Sequence, residues 1–201
     1  MMAFGLNDFV QLAIESARAP ARAVPRVLAL APTMQARWMA AAAVVSLSAI
    51  LAYLASLLFP LDIETPWSPV TRAPMTMAGL QLVVMVGVSA LIARVGQMFG
   101  GQGSFADALW LMIWIDAIML AIQVVQVLLM VIFPLTAEVL GLAAIGLFFW
   151  LIITFTKELH GFRHVGLVAF GVVGVMMLTA IFLSVLLGAL GVMPPMVEAP
   201  Q

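Results

Sequence analysis

The chain has 201 residues, 65% of them hydrophobic and only 8% charged, with a mean hydropathy of +1.22. Soluble domains run at roughly 45–50% apolar and roughly 25% charged, so this composition excludes an ordinary soluble fold and indicates an all-α polytopic membrane protein. Eight Lys and Arg against nine Asp and Glu give a net charge of −1, which leaves no basic field for nucleic acid. Without cysteine there is no disulfide, thiolate metal site or thiol nucleophile. Residues 1–10 carry Asp8 and no basic stretch, so no cleavable signal peptide is expected.

From Asn7 to Leu30, the residues Asp8, Gln11, Glu15, Arg18, Arg22 and Arg26 fall on one helical stripe, with Phe9, Leu12, Ala13 and Val27 away from it. Pro20 and Pro25 remove amide donors, which predicts one helix to about Ala19 and a shorter piece after Pro25. This amphipathic segment suits the membrane interface, with its arginines toward anionic headgroups; the alternative is packing on the protein's own cytoplasmic face.

Five apolar stretches follow, each near the roughly 20 residues that a bilayer crossing needs. They are Trp38 to Phe59, Met75 to Val95, Phe105 to Phe133, Glu138 to Thr156 and Val165 to Val192. Pro60, Pro66, Pro69, Pro74, Pro134, Pro194 and Pro195 sit between or beyond them, where lost amide donors cost least. The expected organisation is a cytoplasmic segment over 1–37, a five-helix transmembrane bundle over 38–193 and a short outside tail over 194–201.

The basic residues set the expected orientation. Arg18, Arg22, Arg26, Arg37, Arg94, Lys157 and Arg163 all fall on one side of a five-span arrangement, and Arg72 alone on the other. That places the N-terminus in the cytoplasm and the C-terminus outside, with Asp62, Glu64, Glu138 and Glu198. Small residues recur every fourth position at Ser48, Ala52 and Ser56 and again at Ala180, Ser184 and Gly188. Such ladders allow close helix approach, more readily inside the bundle than between copies.

Few residues could carry chemistry. Ser104, with Asp107 three residues on, forms a capping pair that starts the third span. The preceding glycines are not a phosphate loop, because no Gly-Lys-[Ser/Thr] ending supplies the lysine that neutralises phosphate. Asp116, eleven residues past Phe105, lies about 16 Å along a helix, near the middle of a core about 30 Å thick. An ionised carboxylate there is costly, so it is expected to be protonated, water-reached or hydrogen-bonded by Gln123, Gln126, Thr154, Ser89 or Thr179. It reads as a polar clasp between helices, or as a proton or solute site.

Trp110, Trp114 and Trp150 suit an aromatic belt or core. The connection from Lys157 to His164 holds His160 and His164, but the spacing is not His-Glu-x-x-His and no third ligand is evident, so neither metal nor cofactor is expected. It reads as a charged elbow at headgroup level, able to meet the Gly100 to Ser104 turn and the N-terminal helix.

These two elbows carry a family resemblance. Gly101-Gln102-Gly103-Ser104-Phe105 with Ala108-Leu109, and Glu158-Leu159-His160-Gly161-Phe162 before the last span, resemble the paired signatures of the Ypt-interacting-protein (Yip) domain family, especially its bacterial members. The likeness covers Met75 to Gly191. It implies a five-helix bundle with a cytoplasmic N-terminus in a bacterial inner membrane. Eukaryotic relatives associate with small GTPases and with one another in vesicle trafficking and membrane shaping. This chain has a short, proline-interrupted N-terminal segment in place of a long soluble one, which argues against carrying GTPase binding over.

The expected function is that of a non-enzymatic integral membrane scaffold or adaptor. Its docking surface for protein or lipid would be Arg18, Arg22, Arg26, Gly101, Gly103, Ser104, Asp107, Glu158, His160 and Arg163. The alternatives are a small-solute or proton transporter using Asp116, Gln123 and Gln126, or an accessory subunit of a larger membrane complex. Expected partners are the bilayer with its anionic headgroups and, beyond it, a second copy or another membrane protein. No nucleophile and base pair, and no ligand set is complete, so an enzyme is not expected.

Overall fold

The computed structural model describes residues 5–59 and 73–189, apart from the side chain of Leu187. Pro60, Asp62, Glu64, Pro66, Pro69, Arg72, the end of the last span and the tail expected over 194–201 lie outside the described residues. Among those described, every regular element is a helix: α1 (Leu6–Arg18), α2 (Pro20–Ala29), α3 (Met34–Leu58), α4 (Pro74–Met98), α5 (Phe105–Ile132), α6 (Pro134–His160) and α7 (Val165–Ala189). The last five are long and apolar enough to cross a membrane.

Local chemistry sets most helix ends. Pro20, Pro74 and Pro134 occupy the first turns of α2, α4 and α6, where a missing amide hydrogen costs nothing. Thr33 and Ser104 cap α3 and α5 through their hydroxyls. α4 and α6 stop the same way, each followed by a glycine in the left-handed region, Gly100 at φ 84° and Gly161 at φ 70°. In each case the next amide closes the last turn: Gly101 N–H donates to Gly96 C=O at 2.8 Å, and Phe162 N–H to Lys157 C=O at 3.0 Å.

Several boundaries differ from the sequence reading. The second N-terminal helix starts at Pro20, not after Pro25, which it holds within. A proline this near the start leaves only one interior carbonyl without its amide, so the helix continues. α6 runs to His160, four residues beyond the expected Thr156, because Gly161 is the first residue able to close it.

α5 is the central helix, packed on α2, α3, α4 and α6, while α7 docks mainly on α4 and α6. The buried core is concentrated toward one end of the bundle, the end that carries the two elbows. There α3 buries Ala41, Val45 and Ala49; α4 buries Val88, Ile92 and Ala93; α5 buries Leu109, Leu111 and Ile115; α6 buries Leu151, Ile152 and Phe155; and α7 buries Val168, Val172 and Val175.

Both small-residue ladders are corrected by this packing. The stripe of α3 that faces inward is Ala41, Val45 and Ala49, whereas Ser48 and Ala52 are half-buried and Ser56 is exposed. Ala180 and Ser184 of α7 are exposed too. Four-residue spacing gives the period of a contact face but not its phase, which the neighbouring helices set.

The N-terminal pair lies against the bundle. α2 packs on α1, α5 and α6, and α1 also on α6. Leu12, Ala23, Val24 and Val27 are buried in protein, while Leu6, Val10, Ile14 and Leu30 stay exposed on the same segment. Arg22 and Arg26 of α2 reach Glu15 of α1, the first with N···O 4.0 Å and the second by a direct hydrogen bond, so α2 folds back on α1.

Candidate functional site

The residues with polar chemistry converge at the elbow end. His160, the last residue of α6, is buried and sits over Gly96, Gly101 and Gly103, with no room for a side chain at any of the three glycines. Its Nδ1 accepts a hydrogen bond from Gly103 N–H at 3.1 Å, and its ring stacks on Phe162 at 5.3 Å. With Nδ1 the acceptor, Nε2 carries the proton in the neutral ring. That atom faces the Ile92 carbonyl without closing a hydrogen bond of standard geometry. His160 therefore locks one elbow onto the other, and the glycines are what let it in. Gln97 adds a second tie, its Nε2 donating to Gly103 C=O at 2.9 Å.

Ser104 and Asp107 complete the first elbow. The Asp107 amide donates to Ser104 Oγ at 3.1 Å, and the hydroxyl donates to the Asp107 carboxylate at 2.7 Å. The carboxylate lies at the positive end of α5 and 3.7 Å from the Arg37 guanidinium, which also donates to Ala106 C=O and Pro32 C=O. In the second elbow Lys157 Nζ meets Glu158 at 2.6 Å.

Three indoles fasten the N-terminal helices to this end. Trp110 Nε1 donates to Val27 C=O at 2.8 Å, Trp114 Nε1 to Ser16 Oγ at 3.0 Å, and Trp150 Nε1 to Ala17 C=O at 3.0 Å. Ser16 is fully buried and its hydroxyl donates a hydrogen bond to Leu12 C=O at 2.8 Å, while Phe9 packs edge-on against Trp114 at 5.2 Å.

The family model of the Yip1 domain matches residues 14–187. The chain belongs to the Yip1 domain family. Neither a curated protein nor a solved structure matches it. The match takes in both elbows and reaches well N-terminal of the Met75 where the sequence resemblance begins, so this Yip1 domain includes the end of α1, from Ile14, and all of α2. It is a polytopic integral membrane protein with five apolar helices of spanning length.

The intramembrane polar group is arranged otherwise than expected. Asp116 is half-buried, and its side-chain neighbour is Gln81 of α4, a residue outside the expected set. Ser89, Thr154 and Thr179 instead satisfy their hydroxyls on carbonyls of their own helices, at 2.7, 2.7 and 2.9 Å. Such back-bonding is always within reach of a helical Ser or Thr. Gln126 lies over Gly141 of α6 and so faces a different neighbour from Asp116, and Gln123 has no hydrogen-bond partner among the described residues. The structure thus does not gather Asp116, Gln123 and Gln126 into one site.

On the elbow surface, Arg18, Arg22 and Arg26 point outward, with Arg163 exposed at the start of α7. Arg37 and the three indole tethers lie outside the residues expected at this site. An arginine just before a span, and tryptophans with donors near a span's end, were the available signals.

Proposed function

We propose that this Yip1-family protein is a non-enzymatic membrane scaffold or adaptor whose elbow end, on the cytoplasmic side, docks a protein partner. The observation that carries the reading is the convergence of three separate chain segments onto one preassembled polar face. Its parts are α1–α2 held by three indoles, the Ser104–Asp107 elbow held by Arg37, and the Glu158–His160 elbow held by His160. A face tied together at such depth, yet ringed by the exposed Arg18, Arg22 and Arg26, suits recognition: a rigid shape with charge at its edge. The cytoplasmic orientation is supported by the arginine distribution.

The test is site-specific photocrosslinking in cells. A crosslinker replacing Arg22 or Gln102 is expected to give protein adducts of defined mass, absent when it replaces the exposed Phe182 of α7. No defined adduct from either elbow position, together with unaltered membrane morphology on deletion, would sink the proposal. Transport through Asp116 has less behind it, since Gln81 engages that carboxyl across the α4–α5 seam. Flux into liposomes that is abolished by Asp116→Asn would reverse that preference.

A further inference from the structure

A groove of about 420 Å³ separates the last third of α4 from the first half of α7, and the connection after α6 closes its head. It lies where α7 rests on α4 and α6, and Gly171 contributes no side chain to its wall. The floor is apolar and buried: Ile92, Val168, Val172 and Val175. The rim residues Phe99, Leu167 and Phe170 are 73–81% exposed, so the opening faces outward from the bundle along its length.

Polar groups occur only toward the head, where Thr156, Arg163 and His164 line it. Arg163 has no ion pair or hydrogen bond among the described residues. The acid of the same elbow, Glu158, is already taken by Lys157 at 2.6 Å. The head of the groove therefore carries an uncompensated positive charge.

Its length narrows the occupant. From Val165 to Val175 the wall spans ten helical steps, about 15 Å at a rise of about 1.5 Å per residue, which is half of a hydrocarbon core about 30 Å thick. A ligand that fits is apolar for one leaflet's depth, enters sideways from the bilayer and ends in an anion at headgroup level. A water-soluble ligand has no use for such walls, and the volume lies within the roughly 300–1,000 Å³ of binding pockets with a few placed polar groups.

We propose that this groove binds an anionic glycerophospholipid, with an acyl chain along Val168, Val172 and Val175 and the phosphate at Arg163 and His164. The free amides of the first turn of α7 lie at the same end and favour the same charge. The inference stands apart from the docking reading, because a lipid fills this groove whether or not a protein partner binds the elbow face.

Native mass spectrometry of the full chain, released from vesicles of equal phosphatidylglycerol and phosphatidylcholine, tests it without any partner. The expected result is one retained phosphatidylglycerol per chain at about fivefold preference, the size a single basic residue near the surface supplies. Arg163→Gln brings the preference to parity. Gly171→Trp fills the groove and removes the retained lipid; a Cβ at Gly171 meets nothing within 4 Å, so the fold accommodates the start of that side chain. Gly171→Leu serves as a milder filler should the tryptophan lower the melting temperature. Equal retention of the two lipids by the unaltered chain, selectivity that survives Arg163→Gln, or retention that survives a folded groove-filling variant would each overturn the proposal.

Discussion

At the elbow end α5 buries Leu109, Leu111 and Ile115 among its neighbours, whereas at its other end the same helix leaves Leu128, Val131 and Ile132 mostly exposed. α6 repeats the contrast, with Leu151 and Ile152 buried and Leu135 and Leu142 exposed. Hydrophobicity cannot explain the difference, since lipid is as apolar as leucine and offers both ends a comfortable environment. What distinguishes the elbow end is close packing around small residues such as Ala41, Ala49 and Gly96, together with hydrogen bonds that cross between segments. Specific contacts, and not apolar content, decide where this bundle is held.

That contrast is breakable, and truncating a core side chain breaks it most. Leu109→Ala is expected to cost about 2–5 kcal/mol of stability in detergent, and Leu128→Ala less than about 0.5 kcal/mol, read as the shift in thermal melting. Equal shifts would erase the distinction between the ends.

Glycine substitutions sharpen it. Gly96→Ala drives a methyl into the His160 ring and is expected to cost about 1–3 kcal/mol, with loosening of both elbows. Gly146→Ala on the exposed face of α6 meets nothing within 4 Å and should be neutral or slightly stabilising, because helical glycine is about 1 kcal/mol worse than alanine. Smaller effects concern the tethers. Trp114→Phe loses the bond to Ser16 and leaves a buried hydroxyl with one partner fewer, which should cost about 1 kcal/mol and speed amide exchange in α1. Ser104→Ala removes the cap of α5 at about 0.5–2 kcal/mol, visible as faster exchange at Asp107 and Ala108 and nowhere in the opposite half.

Much of this architecture is legible in the sequence, for reasons that vary with range. The five spans show because hydropathy over some twenty residues is a local property, and prolines mark their limits. Ser104 with Asp107 shows because a cap is complete within four residues. The meeting of the two elbows was open to inference from topology, but the His160 ring wedged among Gly96, Gly101 and Gly103 was not, since nothing local distinguishes a histidine that ends a helix from one that binds a metal. The tryptophans fit an aromatic belt equally well; only the tertiary structure reveals that their N–H groups hold α1 and α2. The pairing of Gln81 with Asp116 is not legible in the sequence, because helix–helix register is a long-range outcome. The groove beside α7 was invisible for the same reason, being a space between helices.

The N-terminal helices are clamped to the bundle by the three indoles, which makes the elbow end one preformed face. Hydrogen exchange over residues 12–27, measured with the full chain in nanodiscs, tests it most directly. Protection should be the same with and without anionic lipid, and should collapse in the double variant Trp114→Phe, Trp150→Phe. Protection that vanishes when anionic lipid is withdrawn, and that ignores the double variant, would place these helices on the membrane instead and contradict the claim.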